Sequence, residues 1–296
     1  ATRNHIYYVS PDSTSTDWTA ATDIDTPCTV DTAFKNAISG DTVYFLEGTY
    51  ETYPQSDTTG RPHYHAVWEP KNSGTEGAPI TFAAYPGAEV IINGNLPEGT
   101  TAANDSPDMI RVFSTGRKDY IIFDGFIIQA NNGTKMGSVI IGYDINNNWI
   151  ESSDNCIIRN CTFDGGSTTI LGTDNRECIR LEWTKNTLIQ NCMIKNAKQI
   201  NDYGNTSGIK MYFNRNVIIE NNEFSNCSIG IYDKCQGEFS TFRYNFIHHC
   251  FKGIAAQSYN LGDAVRNHPD MTIHDNVIAY NASISDVTEG FLPLTG

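Results

Sequence analysis

Read with period two, the stretch Ser207-Gly208-Ile209-Lys210-Met211-Tyr212-Phe213 sends Ile209, Met211 and Phe213 to one face and Lys210 and Tyr212 to the other. The same phrase returns along the chain. Upstream stands Cys178-Ile179-Arg180-Leu181-Glu182-Trp183, and downstream stand Gly230-Ile231-Tyr232-Asp233-Lys234-Cys235 and Gly253-Ile254-Ala255-Ala256-Gln257-Ser258. Ile179, Ile209, Ile231 and Ile254 are 30, 22 and 23 residues apart. A strand phrase recurring at that interval predicts a solenoid of stacked coils. A second phrase runs in step: apolar, two residues, a turn residue, one residue, apolar. Its copies are Ile158/Cys161/Phe163, Ile189/Cys192/Ile194, Ile219/Asn222/Phe224, Phe242/Asn245/Ile247 and Ile273/Asn276/Ile278, with Ile122/Gly125/Ile127 as a looser first copy. Asn222, Asn245 and Asn276 should then stack as an asparagine ladder, each amide bonding to the coils above and below.

The N-terminal part is less regular. Asn4 to Val9 reads as a short strand, followed by a polar loop to Cys28. Val30, Ala33, Phe34, Ala37 and Ile38 then make one helical stripe that stops at Gly40. An amphipathic helix there would cap the open hydrophobic end of the stack. Residues 42–50 begin the first coil. The expected organisation is one domain over 1–296: strand, loop and capping helix to 41, coils from 42 to 290, and a tail over 291–296. The loop 51–75 carries His63, His65 and Trp68, which suit either a metal or sugar site or a packed surface loop.

Composition narrows the class. The chain of 296 residues is 39% hydrophobic and 18% charged, enough for one long core. No apolar run approaches the ~20 residues of a membrane span. The chain begins at Ala1 without a signal-like segment, as a mature secreted domain would. A net charge of −14 argues against nucleic acid, which needs a basic face. Eight cysteines show no zinc spacing. Aligning the coils puts Cys161 over Cys192 and Cys227 over Cys250, where free inward thiols are expected in preference to disulfides. The terminal Leu292-Pro293-Leu294-Thr295-Gly296 has the form of a cell-wall sorting pentapeptide. It lacks the apolar stretch and basic tail of that signal, so a boundary or coincidence is expected.

Four runs carry a resemblance: Gly40-Asp41-Thr42-Val43-Tyr44, Gly48-Thr49-Tyr50, Gly74-Thr75-Glu76-Gly77-Ala78-Pro79-Ile80-Thr81 and Ala84-Tyr85-Pro86-Gly87. Together they resemble the opening of secreted β-helix polysaccharide lyases, both the alginate and chondroitin lyase family and the pectate lyase family. The likeness covers roughly residues 29 to 128. It implies an all-β fold, a single-stranded right-handed parallel β-helix (solenoid), and the handedness comes from the resemblance alone. It also implies secretion or a cell-surface location, a polysaccharide partner, no membrane and a monomer.

Stacking the strand phrases gives two outward columns: Arg180, Lys210, Tyr232, Ala255, and Glu182, Tyr212, Lys234, Gln257. Neighbours within a column lie ~4.8 Å apart, so the patch matches one or two sugar rings. Tyr143, Trp149 and Tyr203, on loops beside it, suit sugar stacking. Asp233 breaks the pattern, because strict alternation points it inward. Either the strand bulges there or the carboxylate meets a buried donor. Gly208-Ile209-Lys210 is similar to the Gly-Phe-Lys that carries the catalytic base in the pectate lyase family, which gives that role to Lys210. β-Elimination on an acidic, uronate-containing polymer also needs a group to hold the carboxylate and an acid for the leaving oxygen. Arg180 fits the first; Tyr212 or Tyr232 fits the second. Calcium is an open cofactor, since the pectate lyase family's aspartate cluster has no counterpart in 178–183. The alginate lyase family's Lys-Ser motif is missing too. Three rival readings stand beside this one: a solvated sheet face whose long side chains pair with one another, a non-catalytic carbohydrate-binding module, and a structural solenoid on a cell surface or virion.

Overall fold

The computed structural model describes residues 5–51, 66–94, 111–129, 139–142, 153–165, 176–198, 206–257 and 270–279. These build three parallel sheets, two of nine strands and one of eight. Each coil visits the sheets in turn. Ile157–Arg159 lies in the first sheet, Thr162–Asp164 in the third and Arg176–Glu182 in the second, and Leu188–Gln190 then returns to the first. The register of the first sheet aligns Ile158 with Ile189, Ile219, Phe242 and Ile273. The third aligns Phe163 with Ile194, Phe224, Ile247 and Ile278. These are the inward positions of the second sequence phrase. The fold is therefore a parallel β-helix, an all-β solenoid with a single short α-helix among the described residues.

The asparagine column forms as the spacing predicts. Asn222 Oδ1 accepts from the Cys192 backbone N–H at 2.9 Å. Asn245 Oδ1 accepts from both the backbone and side-chain nitrogens of Asn222, and Asn276 Oδ1 does the same for Asn245. Each amide nitrogen also reaches back to a carbonyl, Asn222 to Ile189 and Asn245 to Ile219. Cys161 and Cys192 continue the column with thiols. All eight cysteines are free and buried. Burial pushes the Cys28 thiol up to about 11 and that of Cys156 to about 12.

The loose first copy is out by one residue. Phe123, not Ile122, pairs with Ile158, and Ile128, not Ile127, pairs with Phe163. The inward set of that coil is Phe123, Phe126 and Ile128. Two adjacent isoleucines in each strand satisfy either register by composition, and only the stacked coil selects one.

At the N-terminal end, the helix Val30–Asn36 is capped by Thr29, whose side chain accepts from the Thr32 N–H. Its buried face covers the stack: Phe34 lies 4.0 Å from Phe82 and 5.7 Å from Phe113, ring centre to ring centre. Ile38 falls beyond the helix and is half exposed, so it drops out of the predicted stripe. No described helix is long and apolar enough to cross a membrane.

Candidate functional site

The site lies on the outer face of the second sheet, on the strands Arg176–Glu182, Thr206–Arg215, Ile229–Glu238 and Lys252–Ala256. Their register places Arg180, Lys210, Tyr232 and Ala255 in one column, as the sequence phrases require. Just before it each strand turns a corner. Cys178 and Ile179 both face the core, and a side chain on Gly208 would meet Ile194 and Phe224 at 3.0 Å. Two successive core positions reverse the alternation, so Glu177 stands on the same outer face as Arg180. Strict alternation counted back from Ile179 would instead put it inward. The column of small residues Cys178, Gly208, Gly230 and Gly253 beside the isoleucines was the sequence signal for this corner.

Glu177 joins the cations. Lys210 Nζ lies 3.3 Å from its Oε2, and Arg180 Nη1 lies 3.0 Å from its Oε1. Arg180 Nε also reaches Glu182 Oε2 at 2.8 Å. The guanidinium sits 4.2 Å from the centre of the Tyr212 ring, with Lys234 Nζ 5.7 Å from the same ring. Lys210 Nζ is 5.8 Å from the centre of Tyr232, whose hydroxyl donates to Gln257 Oε1. On this face the cations Arg180, Lys210 and Lys234 stand against two carboxylates, Glu177 and Glu182.

Burial is deeper than a solvated sheet face allows. Glu177, Arg180 and Tyr232 are buried, and Lys210 is 0% exposed. The Lys210 pKa is lowered from 10.5 to about 8, chiefly by burial, with Glu177 pulling it up and Arg180 and Lys234 pushing it down. At neutral pH about a tenth of the population is then the free amine. Arg180 is buried too, but Glu182 and Glu177 hold its charge firmly in place. Burial pushes the Tyr212 hydroxyl well up, so it remains a proton donor.

The second outward column differs from the expected one. The ladder shifts between Met211 and Tyr212: Met211 pairs with Asp233, and Tyr212 with Cys235. Lys234 is the extra residue of this β-bulge and leaves the column. Glu182 and Tyr212 remain opposite each other. Gln257 lies past the end of its strand and meets Tyr232 rather than Lys234. The bulge follows from Asp233, which is fully buried at an inward position. Phe213 is also not inward. It takes a left-handed conformation at φ 53° and stacks on Trp183 with ring centres 4.4 Å apart.

Tyr143, Trp149, Tyr203, His63 and His65 lie outside the described residues. Trp68 packs in the core against Phe34 and Phe113. Among the described residues no three His, Cys, Asp or Glu side chains are grouped to hold a metal.

A family described as "Right handed beta helix region" matches residues 125–291. No curated protein matches the chain by sequence. Solved structures similar to it include XylC in complex with xylose, at TM-score 0.54 and 13% identity over 93% of this chain and 66% of that one. A second is PfbA, a surface adhesin of Streptococcus pneumoniae, at 0.52 and 14% over 83% of this chain and 69% of that one. A third is an iota-carrageenase complexed to iota-carrageenan fragments, at 0.50 and 14% over 79% of this chain and 49% of that one. At such identities the likeness is one of fold.

Proposed function

The chain belongs to the right-handed β-helix family, and from that premise we propose that it binds an acidic, uronate-containing polysaccharide and cleaves it by β-elimination. The observation that carries this reading is one side chain. Lys210 is an amine whose pKa of about 8 puts it within reach of base catalysis; Arg180 and Tyr232 flank it in its column, with Tyr212 two residues on under the Arg180 guanidinium. In this scheme the neutral amine removes the proton at C5 of a uronate. Arg180 holds the adjacent carboxylate and spreads the charge of the enolate-like intermediate. Tyr212 or Tyr232 gives a proton to the departing glycosidic oxygen. Glu182, part exposed beside Arg180, and Lys234 line the approach. A sugar-facing role for Tyr143, Trp149 and Tyr203 belongs to the same proposal, as does a location outside the cell, where such polymers occur. A neighbour of this fold holding iota-carrageenan fragments supports a polysaccharide ligand.

A second reading has its own observation. Lys210 has no exposed surface and is ion-paired to a buried Glu177. In that case the network pins three coils together, and the polymer is held without being cut, as an adhesin would hold it. One screen separates the two. The chain is incubated with a panel of uronate polymers while the ultraviolet absorbance of unsaturated uronate ends is followed, and each polymer is also cast into a native gel. Absorbance rising with any polymer supports cleavage. Retardation in the gel without absorbance supports binding alone, and neither result removes both.

A further inference from the structure

Inside the solenoid, away from the outer face, a polar column runs where the second sheet turns into the first. From coil to coil it reads Thr115, Ser153, Thr184, Asn214 and Gly237. Across the corner the facing positions are Thr187, Val217 and Ser240. The N-terminal half of the column closes on itself. The Gly142 N–H donates to Thr115 Oγ1 at 2.9 Å, the hydroxyls of Thr115 and Ser153 meet at 2.7 Å, and those of Thr184 and Thr187 at 2.6 Å.

Above Thr184 the closure stops. Asn214 is 0% exposed, yet neither its amide oxygen nor its amide nitrogen has a hydrogen-bond partner. Ser240, on the next coil and equally buried, has an unpartnered hydroxyl. Gly237, opposite Asn214, leaves its side-chain slot to another residue. A Cβ there would fall 1.9 Å from Asp233 Oδ2, so the Asp233 carboxylate occupies that slot. The carboxylate thus sits about one strand spacing, ~4.8 Å, above the side chain of Asn214. Val217 and the core isoleucines supply no polar atom to either group.

The geometry points to an internal site for a hard, oxygen-seeking cation held between Asn214 Oδ1, the Asp233 carboxylate and Ser240 Oγ. Leaving a buried amide and hydroxyl unsatisfied is costly, and a cation answers both oxygens at once. Oxygen donors with one formal negative charge suit sodium, potassium or calcium rather than a soft metal. A site of this kind has a single acidic ligand, in keeping with the lack of any three-residue His, Cys, Asp or Glu group among the described residues. The ion would tie two coils together from within and lie beneath the strand that presents Tyr232 and Lys234.

The experiment is a melting series. The full chain is stripped with chelator into a tetramethylammonium buffer, then sodium, potassium or calcium is added at constant ionic strength. One of the three should raise the midpoint by roughly 5 °C at about a hundredfold excess over its Kd. Asn214→Leu and Asp233→Asn should each cut that rise to the tetramethylammonium level. Ser240→Ala, the mildest change, should shift the titration midpoint to higher cation concentration. The inference is overturned if no cation is distinguishable from tetramethylammonium. It is equally overturned if Asn214→Leu melts higher than the parent in saturating cation, the result expected of an amide that holds only water. Should the leucine variant fail to fold, the Ser240→Ala titration decides alone: an unmoved midpoint rejects the site.

Discussion

Replacing Asn245 by leucine tests the internal ladder at its most connected rung. The Asn245 side chain accepts from two nitrogens of Asn222, both at 3.1 Å, and donates to the Ile219 carbonyl at 2.9 Å. Leucine removes these three bonds and a fourth, from the Asn245 amide nitrogen to Asn276 Oδ1 at 2.9 Å. The Asn222 side-chain nitrogen keeps its bond to the Ile189 carbonyl, and Asn276 Oδ1 keeps the Asn245 backbone N–H. Two buried groups are therefore left without partners, the Asn222 N–H and the Ile219 C=O. At ~1–3 kcal/mol each, the loss is about 2–6 kcal/mol. For a domain of this size a kcal/mol moves the midpoint by about 2–4 °C, so a drop of at least 4 °C is expected. Circular dichroism on heating measures it. Met193→Lys, on an exposed side chain in the neighbouring sheet, serves as the control and should change little. A leucine variant that melts with the parent would refute the claim that these amides are the partners of buried backbone groups.

Further expectations concern Lys210, Glu177 and the thiols. The Lys210 pKa is lowered to about 8 in the fold, so the folded chain releases this proton before the unfolded chain does. Its unfavourable charge burial is full below about pH 8 and is relieved as pH rises towards 10.5. The midpoint of the parent relative to Lys210→Met should climb through that window; a flat or falling difference contradicts the assignment. Glu177 is the group that raises this pKa, so Glu177→Gln should move the onset of that climb to lower pH. A disulfide-type thiol reagent should find no reactive cysteine in the native chain and eight after unfolding, because all are free and buried. Fewer than eight on unfolding would mean that a stacked pair such as Cys227 and Cys250 is oxidised.

The solenoid was legible because its two phrases keep one period through several coils, and any coil that broke register would expose its isoleucines. The column Arg180, Lys210, Tyr232 followed from that alone. What the period could not carry were its local violations. A corner at Cys178 and Gly208 brings Glu177 to the outer face, and a bulge at Asp233 takes Lys234 out of line; each depends on a small residue or a buried carboxylate in three dimensions. Lys210 was expected on a wetted surface. Its complete burial depends on how the coil as a whole is covered, which no strand phrase encodes. The loose first copy of the second phrase is out by one residue because Ile121, Ile122, Ile127 and Ile128 offer two equal registers, and the core contacts of Phe123 and Phe126 choose between them.

The central claim, that the buried Lys210 is a base acting on a uronate polymer, is tested most directly by comparing Lys210→Ala with the parent on the polymer selected by the absorbance screen. The account predicts that unsaturated product disappears while affinity in the polysaccharide gel stays within a few-fold, because the amine acts in the transition state. Arg180→Ala, which holds the carboxylate in substrate and transition state alike, should lose both. Product formation by Lys210→Ala at the parent rate would contradict the account.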